Sequence, residues 1–362
     1  MRKFFCFFLS LTLAASLLLI AGGATAESTG ADTSAWASAN LPYDRMPESI
    51  EIVPYDELPP VVEGQHHYLL LCIDQWNKPA RPADAKPPVQ SNGRRRDLYG
   101  NTDGMVLVTL DTRAHRIMLT SFIRDAIIQK PSSDDSSEKF GRINYVYNDY
   151  GPEALCQVIS QHIGVRIEKY ILFNFGQIQD IVDYLGGVDI DLKYYEINYL
   201  HRYRVPRASV VSLDGKHDVY YNGNHPEGIY HFTGHSAVLY MRIRKAGGGG
   251  DFMRTQRVRT VLSTLADKCR DISWDDARAL ANNIMENNNV TNMNLEEMID
   301  AAGYAYSLRD CTIEELRIPV DGAVRAIGFA NMAAQEVNWP VCREAMADYL
   351  QNSFLVMDDE EE

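Results

Sequence analysis

The sequence predicts a mixed α/β fold, a central β-sheet flanked by helices on both faces with a helix-rich C-terminal third, and three observations predict it. HYLLLCID, ending at Asp74, is a continuous apolar run of the kind found in a strand buried on both sides. GMVLVTL and RIMLTSF, separated by the polar residues 111–115, read as a β-hairpin. KYILFNF, GQIQDIVDYLG and GGVDIDL then alternate strand, helix and strand, which calls for a sheet with covering helices.

The chain opens with Arg2 and Lys3, an apolar run from Phe4 to Ile20, and the small residues Ala24, Thr25 and Ala26. That order is an export signal spanning residues 1–26, with an uncleaved anchor as the alternative because the run is nearly bilayer-long. Residues 27–64 are rich in Ser, Ala, Pro and acids and read as a linker or arm. One domain is expected over residues 65–356. Within it, residues 77–100 form a Pro-, Arg- and Gly-rich loop. Residues 152–164 have helical spacing, with Pro152 at the start and Gly164 as a stop. Residues 194–230 are polar and aromatic without a clear element. YMRIR reads as extended, four glycines follow at 247–250, and a long helix runs from Asp251 to about Arg270. Helices over 274–287, 295–309 and 341–354 complete the domain, and residues 357–362 are a solvated acidic tail.

The formal net charge is −14, from 35 Lys and Arg against 49 Asp and Glu. An acidic exported body argues against nucleic acid as a partner and against a general electrostatic hold on anionic lipid. Cys72, Cys156, Cys269, Cys311 and Cys342 follow the export segment without C-x-x-C spacing, so no zinc site is indicated. Cys72 and Cys156 read as core, and one bridge among the last three stays open.

Against that acidic background, arginines collect at element ends, where an unpaired guanidinium is expensive to bury. Asp74 closes a buried strand and Asp103 precedes the next, so the two could share Mg2+; each also reads as a local turn residue. Arg124 and Asp125 end RIMLTSFIRD, and Arg142 and Asn144 lie in GRINYVY. In an extended YMRIR, Arg242 and Arg244 share a face and repel unless an anion or acids lie between them. On the long helix, Val258, Val261, Leu262 and Leu265 form an apolar stripe. Arg254 falls on it, Arg257 on its flank, and Arg259 away from it. Arg254 reads equally as an anion ligand near a helix N-terminus and as the partner of Asp251.

LLLCID, NTDGMVLVTLD, LTSFIRD with GRINYVY, YLGGVDIDL, YHFTGHSAVLYMRIRK and GDFMRTQRVRTVL, in that order, resemble the LytR-CpsA-Psr family of envelope phosphotransferases over residues 67–354. The resemblance implies an enzyme that moves a glycopolymer from an undecaprenyl-diphosphate carrier to peptidoglycan at the outer face of the cytoplasmic membrane, meeting that surface through the lipid carrier. It implies Mg2+ on Asp74 and Asp103, a diphosphate gripped by Arg124, Arg242, Arg244, Arg254 and Arg257, and Asp125 orienting them. Asp74 is the first choice of proton acceptor. Arg142 stands where the family usually has lysine, with Asn144 and Asp251 also in the substrate-binding set. Two positions depart from the pattern: Asn101 replaces an arginine and Val258 a glutamine, each removing a phosphate donor. A non-catalytic polyprenyl-diphosphate-binding regulator or scaffold, and a diphosphate hydrolase, are the other classes weighed. Retention of both aspartates favours the enzyme.

Overall fold

The structure is a computed structural model and describes residues 49–76, 85, 99–131, 139–207, 209–221, 226–243, 257, 260, 261, 264, 290–308, 311–329 and 332–355. The export segment, most of the arm, the loop after Asn77, the helix expected at 274–287 and the acidic tail lie outside the described residues.

In chain order the strands and helices are β1 (Gln65–Ile73), β2 (Thr102–Asp111), β3 (Arg116–Phe122), β4 (Ile127–Gln129), β5 (Phe140–Arg142), α1 (Val146–Tyr150), α2 (Pro152–Ile163), β6 (Lys169–Phe173), α3 (Phe175–Tyr184), β7 (Val188–Leu192), α4 (Tyr194–Arg202), β8 (Val210–Ser212), β9 (Gly228–Phe232), α5 (Gly234–Met241), β10 (Val290–Thr291), α6 (Leu295–Ser307), β11 (Thr312–Ile318), β12 (Val324–Phe329), β13 (Met332–Val337) and α7 (Trp339–Leu355). They divide into two compact units. One holds Gly22–Leu172, Val290–Glu297 and Ser307–Glu362, and the other Phe173–Asn289 and Met298–Tyr306.

The first unit is built on a six-stranded mixed sheet of order β10-β6-β1-β2-β3-β11. β1, β2 and β3 are an antiparallel meander, and β11 joins β3 in parallel. Leu69, Leu71, Ile73, Met105, Leu107 and Met118 face a core shared with α2 and α7, including Trp339 and Met346. The alternate residues Leu70, Val106, Val108, Ile117 and Leu119 are also at most 2% exposed, so these strands are buried on both faces and needed continuous apolar runs. Helix α2 begins at Pro152, whose missing N–H is no loss in a first turn, and ends at Gly164 in the left-handed conformation (φ +74°). The last residues of the arm are docked here: Val53 N–H donates to Gln161 O, and Arg166 lies over Tyr55 and donates to the Tyr55 and Leu58 carbonyls.

Two buried histidines fasten this unit. His162 accepts from the Gln129 backbone N–H at 3.1 Å, donates to the Val158 carbonyl at 2.6 Å and meets the Trp339 ring edge-on. His67 bonds the Thr109 hydroxyl at 2.8 Å across β1 and β2. Burial lowers the pKa of each to about 4, so both are neutral at pH 7.

The second unit carries a three-stranded antiparallel sheet of order β7-β9-β8. β7 alternates buried Val188, Ile190 and Leu192 with exposed Asp189 and Asp191, the pattern of a sheet with one wet face. Asn174 caps α3 through a reciprocal box with Gln177. Gly234 starts α5 in a place where a Cβ would stand 2.2 Å from the Gln179 carbonyl oxygen, and its N–H donates to Asp183 at 2.7 Å.

Three expectations need correction. Residues 194–230, read as featureless, hold α4, β8 and β9. YMRIR is not extended: Tyr240 and Met241 are the last turn of α5, whose Ala237, Val238 and Met241 bury at helical spacing. The stretch after α6 is as much strand as helix, because β11 extends the main sheet and β12 pairs with β13. Cys72, Cys156, Cys311 and Cys342 are thiols rather than disulfide partners, and burial raises Cys342 to about 12.

Candidate functional site

In the first unit, four of the residues singled out by sequence form one connected ion-pair chain. β1 and β2 pair in straight register up to Cys72 opposite Gly104, but Ile73 then faces Thr102, leaving Asp103 as the extra residue of a β-bulge. A bulge re-aims a side chain and bends its strand. Beyond it, Asp74 N–H donates to Asn101 O at 2.9 Å, and Asn101 N–H returns a bond to Asp74 Oδ1 at 2.8 Å. Gln75 Nε2 approaches the same oxygen at 3.4 Å. Asp74 and Asp103 are therefore delivered to one end of adjacent strands by the ladder itself.

Across that end, β3 stops at Phe122, and a turn over residues 123–126 presents Arg124 and Asp125. Arg124 Nη1 donates to Asp103 Oδ1 at 2.8 Å, and its Nε lies 3.7 Å from Asp125 Oδ2. Asp125 Oδ1 forms an ion pair with Arg142 Nη1 at 2.9 Å. Arg142 ends β5, opposite Ile127, so the β4–β5 ribbon brings it back to the turn. The same guanidinium donates to the Ala333 carbonyl at 3.2 Å and to the Tyr145 hydroxyl. β13 supports the turn from behind, with Gln335 N–H donating to Asp125 O at 2.9 Å. The four charged side chains are 13–26% exposed, so their attractions are screened less than surface pairs.

Asn144 is pinned by its backbone, its N–H donating to Arg124 O at 3.3 Å and its carbonyl accepting from the Thr102 hydroxyl at 3.4 Å. Its side-chain Oδ1 is buried and has no hydrogen-bond partner. A buried amide oxygen without a donor points to a missing ligand or water. The donors Asp74, Asp103 and Asn144 are all hard oxygens. Among the described residues no group of three or more His, Cys, Asp or Glu stands together. That set fits Mg2+, which commonly takes one or two carboxylates and completes its shell with water and substrate phosphate.

In the second unit, Arg242 is the C-cap of α5 and exposed, with its guanidinium 4.7 Å from the centre of the Phe175 ring. Arg257 is 1% exposed; its Nε donates to Glu196 at 2.6 Å and its Nη1 to the Ile243 carbonyl at 2.9 Å. Glu196 also caps α4 by accepting from Lys193 N–H at 3.1 Å, and it takes a bond from the Tyr240 hydroxyl. The geometry thus gives Arg257 a neutralising partner, Glu196, inside the fold. Arg244, Asp251 and Arg254 lie outside the described residues, as does Val258.

Sequence reasoning passed over Tyr145 and Glu196. Tyr145 was legible in GRINYVY, three residues after Arg142, as a ring able to lie against a guanidinium, which it does at 4.5 Å. Glu196 carried a weaker signal, an acid at the third position of a helix.

Comparison with known proteins follows this geometry. The model of the LytR_cpsA_psr family matches residues 82–341. TagV of Bacillus subtilis (strain 168), named a polyisoprenyl-teichoic acid–peptidoglycan teichoic acid transferase, is 26% identical over 174 residues, 48% of this chain and 40% of TagV. TagU of Bacillus mycoides (strain KBAB4), which bears the same functional name, is 28% identical over 237 residues, 64% of this chain and 67% of TagU. The matched region therefore spans less than half of TagV and about two thirds of TagU. The solved LytR-CPS2A-psr family protein YwtF (TagT) with bound octaprenyl pyrophosphate lipid superposes with a TM-score of 0.51 at 18% identity, covering 80% of this chain and 90% of that one. That likeness is one of fold.

Proposed function

The chain belongs to the LytR_cpsA_psr family, and from that premise we propose that it is a phosphotransferase of the cell envelope. It moves a glycopolymer from an undecaprenyl-diphosphate carrier to a sugar hydroxyl of peptidoglycan, on the outer side of the cytoplasmic membrane. The names of TagV and TagU and the lipid held by YwtF support this substrate class.

The observation that carries the reading is the chain Asp103–Arg124–Asp125–Arg142 at the bulged strand end. Phosphoryl transfer asks for positioned charge more than for covalent chemistry, and this arrangement holds two guanidiniums in fixed directions. Its charge balance also matters. Asp103 and Asp125 cancel Arg124 and Arg142, and Asp74 adds a further negative charge, so these five groups alone would repel a diphosphate. A divalent cation reverses that sign. Mg2+ held by Asp74 and Asp103 would supply charge neutralisation for the phosphate oxygens.

The residues of the chain then have these parts. Arg124 binds a phosphate oxygen as its bond to Asp103 loosens. Asp125 holds Arg124 and Arg142 at a fixed separation. The acceptor hydroxyl attacks the sugar-linked phosphorus and its proton passes to Asp74. The phosphoanhydride P–O bond breaks, so undecaprenyl phosphate leaves. By resemblance to the family, Arg242, Arg244 and Arg254 are further candidates for phosphate binding, and of these only Arg242 is among the described residues. Asn101 and Val258 cannot supply the donors usual at their positions.

The test is incubation of the full chain with a defined undecaprenyl-diphosphate oligosaccharide, peptidoglycan fragments and Mg2+, with products read by mass spectrometry. Ligated glycan with undecaprenyl phosphate is the expected outcome. Glycan phosphate released into water, or binding without turnover, would replace the reading with hydrolysis or with a sensor.

A further inference from the structure

Helix α4 and the loop after it carry a surface that the transfer chemistry leaves unused. Glu196, Ile197 and Leu200 are the buried face of α4. At 100° per residue, that puts Tyr195, Tyr199 and Arg202 together on one solvent-side flank, and Tyr203 closes the row at the C-cap. The Tyr199 and Tyr203 rings stack with centroids 4.6 Å apart and planes at 25°, and their hydroxyls are 2.9 Å apart. Tyr203 is 56% exposed and Tyr195 37%. Two rings with a large share of their surface in water, Tyr195 and Tyr203, thus flank the half-buried Tyr199.

The loop that follows is held in place. Tyr220 donates its hydroxyl to the Val205 carbonyl at 2.7 Å, its ring meets His201 edge-on, and Arg207 lies over it. At Arg204 the chain turns through φ +54°, a region that residues with a Cβ seldom enter. Arg202 and Arg204 make no ion pair among the described residues, whereas Arg207 stands 3.9 Å from Asp218. Residues 197–213 contain Arg202, Arg204 and Arg207 and no acid, in a chain whose net charge is −14.

We infer that this flank is a docking platform for the phosphate-bearing sugar or polyol chain of the donor, a contact with the polymer itself rather than with its diphosphate. Ring faces match the C–H faces of sugars, and unpaired guanidiniums match phosphodiesters along a polyanion. An anionic bilayer fits less well, because a broad plane meets the field of the whole acidic body, net −14, whereas a single polymer strand can follow the basic, aromatic row alone. The source of the polymer rests on the transfer reading, but the surface chemistry does not.

The experiment therefore measures binding apart from turnover. Full chain is titrated with soluble poly(glycerol phosphate), and separately with phosphatidylglycerol vesicles, at low and high salt. Tyr199→Ala/Tyr203→Ala and Arg202→Ala/Arg204→Ala should each weaken polymer binding about tenfold, the arginine pair with the larger loss of salt dependence. Tyr199→Phe/Tyr203→Phe keeps the rings and should bind as the parent does. If the parent makes no product from any donor but still binds polymer, the transfer reading fails and the platform stands. Equal polymer binding by all variants would overturn the platform, as would loss of vesicle binding with polymer binding intact.

Discussion

Replacing Arg257 by alanine removes one half of a buried ion pair and leaves Glu196, 4% exposed, facing a void. The remaining donors to that carboxylate, the Lys193 N–H and the Tyr240 hydroxyl, do not neutralise its charge. Breaking such a pair costs about 3–5 kcal/mol, because the surviving charge is stranded in a poorly polarisable interior. For a unit of this size that is a fall on the order of 10 °C in Tm, measurable by calorimetry. The double variant Glu196→Gln/Arg257→Met discriminates between roles. Gln keeps an acceptor for Lys193 N–H and Tyr240, and Met fills the volume without charge, so stability should return to within about 1.5 kcal/mol of the parent. If Arg257 only supports the fold, transfer activity and polyprenyl-diphosphate binding should return with stability. A double variant that is stable but has lost lipid-diphosphate affinity would refute this, and would restore Arg257 to the anion grip.

The histidines set an acid limit. Each is held near 4 in the fold against about 6.5 in an unfolded chain, so below about pH 6.5 the unfolded state takes up protons that the native state refuses. Stability falls as pH drops through that window and levels off below about 4, by about 3 kcal/mol for each histidine. Urea unfolding at pH 7 and pH 4.5 should show a clearly smaller drop for His162→Gln than for the parent; parallel curves would sink the assignment. Asp74→Asn and Asp103→Asn should each lower Mg2+-dependent transfer by about 100-fold or more and abolish calorimetric Mg2+ binding with the fold retained. Unchanged metal affinity in both would remove the cation from these residues. Gly234→Ala forces a methyl onto the Gln179 carbonyl and should destabilise the α3–α5 packing by about 2 kcal/mol or more, read as a lower urea midpoint.

What could be read from the chain was whatever local pattern decides. The β2–β3 hairpin, α2 between its proline and its glycine, and α3 followed by β7 all announce themselves by period and punctuation. YMRIR misled because its residue types suit a strand, while the helical phase begun upstream by Ala237 and Val238 runs on into its own Met241 and won. TIEELRI was passed over for another reason. Its apolar Ile313, Leu316 and Ile318 fit neither period cleanly, and only the parallel partner β3 makes it a strand. The Asp103–Arg124–Asp125–Arg142 cluster was legible as types and order, but the register slip that aims Asp103 was not. Arg257 shows the converse limit, since helical phase placed it beside an apolar stripe and could not say that Glu196 would meet it there.

The parallel seam between β3 and β11 bears on how the molecule comes into being. Arg116 and Glu314, which bond across it, are 198 positions apart in the chain. During synthesis β3 therefore waits, one edge bare, until nearly the whole polypeptide has emerged. A product truncated before residue 312 would keep that edge permanently open to any other strand, and such fragments should clump rather than persist as a smaller working enzyme.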